Sequence, residues 1–179
     1  MGASAMLTLA IIGRAATIGV GLLFLLAGLS QWRHRFLLPG VIANYRLLPG
    51  KLVAPAAFAL PLAEAMIGLG LMAGFTPLSA VAGIALLLLF AGAMAVNIRR
   101  GRTHIDCGCG HSELRHPIGW SLVARNLLLA ALLLPALMPV GPLDTMDLAS
   151  ALAAGLAILL LSFLFQSLGA LAASPVHRR

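Results

Sequence analysis

Five apolar runs, separated by short polar stretches, divide the chain. They lie at about 7–29, 52–74, 78–96, 120–139 and 148–168, each close to the about 20 residues a helix needs to cross a hydrocarbon core. In lipid every backbone N–H and C=O must be paired within the segment, so such runs are read as helices. The pattern predicts an all-α fold, a polytopic transmembrane bundle of four core spans with a fifth at the C-terminus. The whole of 1–179 forms one domain, in which residues 97–119 make the longest polar loop.

Composition supports this reading. Apolar residues are 61% of the 179 positions and charged residues 9%, far from the soluble-domain balance of about half apolar and a quarter charged. The first run lacks Lys or Arg ahead of it, and Arg33 and Arg35 follow it directly, as in a retained first span rather than a signal peptide.

The formal charge of +7 comes from 12 Lys and Arg against 5 Asp and Glu. The basic residues fall in short connectors, where they act on topology, so no nucleic-acid partner is expected; the lipid bilayer is the first partner. Arg33, Arg35, Arg46 and Lys51 lie in the first connector, Arg99, Arg100, Arg102 and Arg115 in the third, and Arg178 and Arg179 in the tail. The second connector has no basic residue and the fourth offers only Asp144 and Asp147, either of which suits a helix N-cap. This alternation predicts an N-terminus outside and the cysteine loop in the cytoplasm. In the first connector Trp32 and Tyr45 suit the headgroup level, and Pro39-Gly40 and Pro49-Gly50 are expected to break it into short surface pieces.

Ionisable residues interrupt the first two apolar spans, Arg14 in the first and Glu64 in the second. Arg14 either snorkels to the near interface or pairs inside the bundle. With the first terminus outside, the two lie at comparable depths, so an Arg14–Glu64 ion pair locking the first two spans is one expectation. A protonated Glu64 hydrogen-bonded to a neighbouring helix is the other. Gly68, Gly70 and Gly74 favour close helix packing.

The chemistry concentrates between Asn97 and Asn126. That stretch holds both cysteines, three of the five histidines and five of the twelve basic residues. Cys107 and Cys109 are separated by Gly108 alone, which lets the sulfurs approach; a Cys-x-Cys disulfide closes a small strained ring, labile and oxidising. Arg99, Arg100 and Arg102, with His104 or His111 when protonated, favour the thiolate, and Asp106 opposes it. Thiol-disulfide exchange is the first reading. A zinc or Cu(I) site at His104, Cys107, Cys109 and His111 is the second, with ligand types that suit but a spacing tighter than structural zinc patterns. Two small residues packed in a loop is the third. Arg125 and Asn126, about one and a half turns into the fourth span, are candidates for supporting the loop or for marking the interface.

The succession N-I-R-R-G-R-T-H-I-D-C-G-C-G, followed after a spacer by W-S-L-V-A-R-N-L-L-L-A, resembles the methylamine utilisation protein MauE family. Y-R-L-L-P in the first connector and P-L-A-E in the second span fit the same family and its DoxX-like relatives. The resemblance implies a bacterial inner-membrane protein of four or five spans. It implies a role, with a thioredoxin-like periplasmic partner of the MauD type, in maturing the disulfide-rich subunit of methylamine dehydrogenase, with Cys107 and Cys109 as the redox pair. Where family members often continue Cys-Gly-Cys with Phe-Gly, this chain has Gly110-His111, which keeps a histidine beside the thiols. A periplasmic partner and a cytoplasmic cysteine loop pull in opposite directions. With one cysteine pair the chain needs either a partner thiol or a lipid quinone to pass electrons on. Three function classes follow: a thiol-redox maturation factor, a metal-handling membrane protein, and a non-catalytic scaffold subunit.

Overall fold

The computed structural model describes residues 3–75, 77–107, 117–138 and 144–173. Among these residues six α-helices follow one another: α1 (Ala3–Arg33), α2 (Leu38–Tyr45), α3 (Gly50–Ala73), α4 (Leu78–Arg99), α5 (Trp120–Leu132) and α6 (Thr145–Ala173). A 3-10 turn at Leu134–Leu137 prolongs α5, with Pro135 in its first turn, where the missing N–H has no partner to lose. All of these except α2 are long and apolar enough to cross a membrane, the α5 span being counted through Leu137. The chain is a multi-pass membrane protein.

Four spans share one core. Ala16, Val20 and Phe24 of α1 meet Leu71 of α3, Ala80 and Leu87 of α4, Leu129 and Ala130 of α5, and Leu133, which caps α5. On α3 the buried residues are Ala57, Pro61, Glu64, Gly68 and Leu71, spaced four, three, four and three apart, so they form one face of the helix. Uniform hydrophobicity hides that face in the sequence, because lipid accepts the other side equally well.

Glycines set how closely the helices approach α1. A side chain at Gly28 would meet the Pro61 carbonyl at 2.7 Å, and one at Gly68 would meet the Gly21 carbonyl at 2.7 Å, so α1 and α3 run backbone to backbone and antiparallel. On the opposite flank of α1, Gly19 faces the Gly155 carbonyl at 2.7 Å, which docks α6 outside the four-helix core. α3 and α4 touch beside their shared turn, where a Cβ on Gly70 would lie 2.6 Å from Ser79 Oγ. Further along they part, and a Cβ on Gly92 would meet nothing within 4 Å.

The first connector differs from its expected form. Pro39 and Gly40 do not break it; they lie in the first turns of α2, the position where proline costs no hydrogen bond. Pro49 does act as a boundary, immediately before Gly50 opens α3. At the start of α6 the Asp144 carbonyl accepts the Leu148 N–H at 2.9 Å, the backbone role of an N-cap residue.

Candidate functional site

The cysteine loop begins with a defined helix ending. Gly101 takes φ +70°, the Arg102 N–H returns to the Asn97 carbonyl at 3.0 Å and the Gly101 N–H to the Ile98 carbonyl at 2.9 Å, which is a Schellman ending with glycine at the left-handed position. The turn aims Arg102 back across the end of α4. Its Nη1 donates to Asn97 Oδ1 at 3.2 Å and its Nη2 to the Asn44 carbonyl of α2 at 2.8 Å. Asn97 is fully buried and also donates through Nδ2 to the Ala93 carbonyl at 3.1 Å. Arg102, expected to act on the thiols, is thus the tie between α4 and the first connector.

The two limbs of the loop meet at a neck. The Ile118 N–H donates to the Ile105 carbonyl at 3.0 Å, and Asp106 and Pro117 form an antiparallel bridge. Ile105 and Ile118 are buried with Ala91 and Met94 of α4 and Leu122 and Val123 of α5, a second apolar cluster against which Cys107 packs. The Tyr45 hydroxyl donates to the Cys107 carbonyl at 3.4 Å. Cys107 is therefore half-buried at the base of the loop, fixed by α2, α4 and α5 together. His104 is exposed beside it. Cys109 and His111 lie outside the described residues, and with them half of the candidate metal set. Among the described residues no three His, Cys, Asp or Glu side chains gather around a possible ion.

Arg14 and Glu64 lie at different depths along α3, Arg14 beside its C-terminal end and Glu64 near its middle. Arg14 Nη1 would lie 3.5 Å from a Cβ at Gly74, ten residues beyond Glu64 and so about 15 Å along the helix. Glu64 is almost wholly buried and instead accepts from Gln31 Nε2 at 3.1 Å. The expected ion pair is not formed, because the glycine seam sets a register in which Gln31, not Arg14, stands level with Glu64.

Two cavities flank that pair. The larger, about 630 Å³, lies where α3 and α4 part beneath α2, and its wall includes Tyr45, Cys107, Gln31 and Glu64 among apolar side chains. The smaller, about 470 Å³, includes Arg33, His34, Arg125, Asn126 and Gln166. Arg125 Nε and Nη1 are shut off from solvent and have no hydrogen-bond partner among the described residues, while Asn126 Nδ2 donates to the Leu122 carbonyl of its own helix at 3.0 Å. Arg125 and Asn126 thus line the second cavity. No spacing in the sequence marks a role for Gln31, Asn44 or Asn97, or the contact of Tyr45 with the cysteine loop. The available signal was a polar residue in the last turn of an apolar helix, as at Gln31 and Asn97.

Comparison with known proteins gives this geometry a family. The chain is 42% identical over 171 residues to the methylamine utilization protein MauE of Paracoccus denitrificans, covering 92% of this chain and 91% of that relative. It is 43% identical over 145 residues to the protein of the same name from Methylorubrum extorquens, covering 78% of each. With that from Methylophilus methylotrophus it shares 36% over 169 residues, covering 91% of this chain and 87% of that one. No solved structure matches the chain. Residues 8–139, from α1 through the 3-10 turn after α5, match the family described as methylamine utilisation protein MauE, and the chain belongs to that family.

Proposed function

We propose that this chain is the membrane-embedded thiol-disulfide component of a methylamine utilisation system. It acts in the bacterial inner membrane on the maturation of a disulfide-bearing amine dehydrogenase subunit, together with a thioredoxin-like partner. The observation that carries the reading is the placing of Cys107. A thiol in a family whose relatives are named for methylamine utilisation is held at a built neck, by the Ile105–Ile118 backbone bond, the Asp106–Pro117 bridge and the Tyr45 hydroxyl. Gly108 separates it from Cys109 in the sequence.

In exchange, a thiolate of the partner attacks the Cys107–Cys109 disulfide and forms a mixed disulfide. The partner's second thiol then displaces it. The partner gains one S–S bond and loses two electrons and two protons, and the cysteine pair takes them up as two thiols. Small ring strain in the pair favours this direction.

The test is replacement of Cys107→Ser and Cys109→Ser, singly, in a host that depends on the dehydrogenase. Active enzyme is expected to fall at least tenfold, with free thiols in its disulfide-bearing subunit. Normal maturation with both cysteines replaced would reject the exchange role and favour a scaffold.

A further inference from the structure

We infer that the larger cavity binds an isoprenoid quinone, which takes the electrons that the cysteine pair collects. The inference rests on the exchange role proposed above and supplies its acceptor. The cavity wall runs from Ala56 to Glu64 on α3 and from Leu89 to Val96 on α4, about 10 to 12 Å along each helix. The Gln31–Glu64 pair closes its inner end, and Tyr45 and Cys107 stand at the end next to the loop. Between them the lining is hydrocarbon. The volume, about 630 Å³, falls within the range of about 300–1,000 Å³ for small-molecule sites, which are mostly apolar with a few placed polar groups.

The chemistry of the wall selects among lipids. The Tyr45 hydroxyl, on giving up its 3.4 Å bond to the Cys107 carbonyl, and the Gln31 amide, whose Nε2 serves Glu64, are the groups that would donate to a ring carbonyl, whereas an anionic headgroup would meet the Glu64 carboxyl and no arginine or lysine in this wall. Leu47, Leu48 and Leu89, all in the wall, are exposed on the outside of the bundle, so the mouth opens toward acyl chains and an isoprenoid tail has a way out. The thiol in the wall supplies the reason for a redox-active ring. Two thiols of the reduced pair lose their S–H bonds and form one S–S bond, and the two electrons and two protons convert both ring carbonyls to hydroxyls. The quinol then leaves sideways into lipid, so one cysteine pair suffices.

The experiment uses the full chain, purified, reduced and held anaerobically in lipid nanodiscs, with decyl-ubiquinone as the probe. One quinol is expected to form for every two thiols lost. Gly92→Phe projects a ring into the cavity from a position whose Cβ meets nothing within 4 Å, and is expected to slow quinone reduction at least tenfold while exchange with a small dithiol is unchanged. Ala59→Leu, on the facing wall, repeats the test should Gly92→Phe fail to fold. Exchange with the dithiol but no quinone-dependent thiol loss would overturn the quinone site and leave the exchange role standing. Quinone reduction unaffected by both cavity variants would also overturn the site. Loss of exchange itself in the wild-type chain would overturn both.

Discussion

Arg102 and Asn44, 58 residues apart in sequence, are joined by a hydrogen bond of 2.8 Å from Nη2 to the backbone carbonyl, and this bond fastens the cysteine loop to the first connector. Hydrogen bonds to charged groups contribute about 1.5–3 kcal/mol when well shielded, and less at an exposed site such as this one. Arg102→Ala is expected to cost about 1 kcal/mol and to loosen the loop. The check is a faster reaction of Cys107 with maleimide in a Cys109→Ser background, by several-fold, with little change in thermal unfolding of the bundle. Unchanged labelling would show that the neck holds Cys107 without the arginine.

The Gln31–Glu64 hydrogen bond makes a separate forecast. Glu64→Gln retains an acceptor for Gln31 and is expected to cost under about 1 kcal/mol. Glu64→Leu strands a buried amide and should cost about 1–3 kcal/mol. In a double-mutant cycle Arg14→Gln and Glu64→Gln should be additive to within about 0.5 kcal/mol, because groups this far apart do not couple. A coupling above about 1 kcal/mol would restore the ion pair.

Close approach at Gly28 can be probed by thermal unfolding in detergent. The Cβ of Gly28→Ala would stand 2.7 Å from the Pro61 carbonyl, backbone that cannot turn aside. Overpacking of this kind costs about 1–3 kcal/mol. Gly92→Ala, at the parting of α3 and α4, should leave stability within about 0.5 kcal/mol of wild type.

Orientation has a direct assay. Arg33, Arg35, Arg46, Arg99, Arg100 and Arg102 all lie at the end of the bundle that carries Cys107, which predicts that a membrane-impermeant maleimide reaches the thiols only in permeabilised cells. Labelling of intact cells after reduction, the outcome that direct exchange with a periplasmic partner requires, would reverse this orientation.

The spans and their number were legible because each is a one-dimensional signal, run length and charge spacing. Register between helices was not. Arg14 and Glu64 look level when spans are drawn as parallel rods, and only the meeting of Gly28 with Pro61 and of Gly21 with Gly68 shows which residues stand opposite. The same limit hid Tyr45, whose tyrosine in an interfacial connector reads as a headgroup anchor until α2 folds over the end of α4. The Schellman ending at Gly101 shows the converse. Glycine there was readable as backbone freedom, but its use in turning Arg102 onto Asn97 depends on the helix stopping at that residue.

The two glycine seams on α1 have a consequence for biosynthesis. α1 leaves the ribosome ahead of its partners, yet the backbones that fill its two grooves belong to α3 and to α6, more than a hundred residues further along the chain. Until then Gly19 presents an unfilled notch to lipid, and the nascent protein is an incomplete bundle in which α1 is held from one side only. Synthesis of α6, rather than insertion of α1 itself, is the event that fills the second groove.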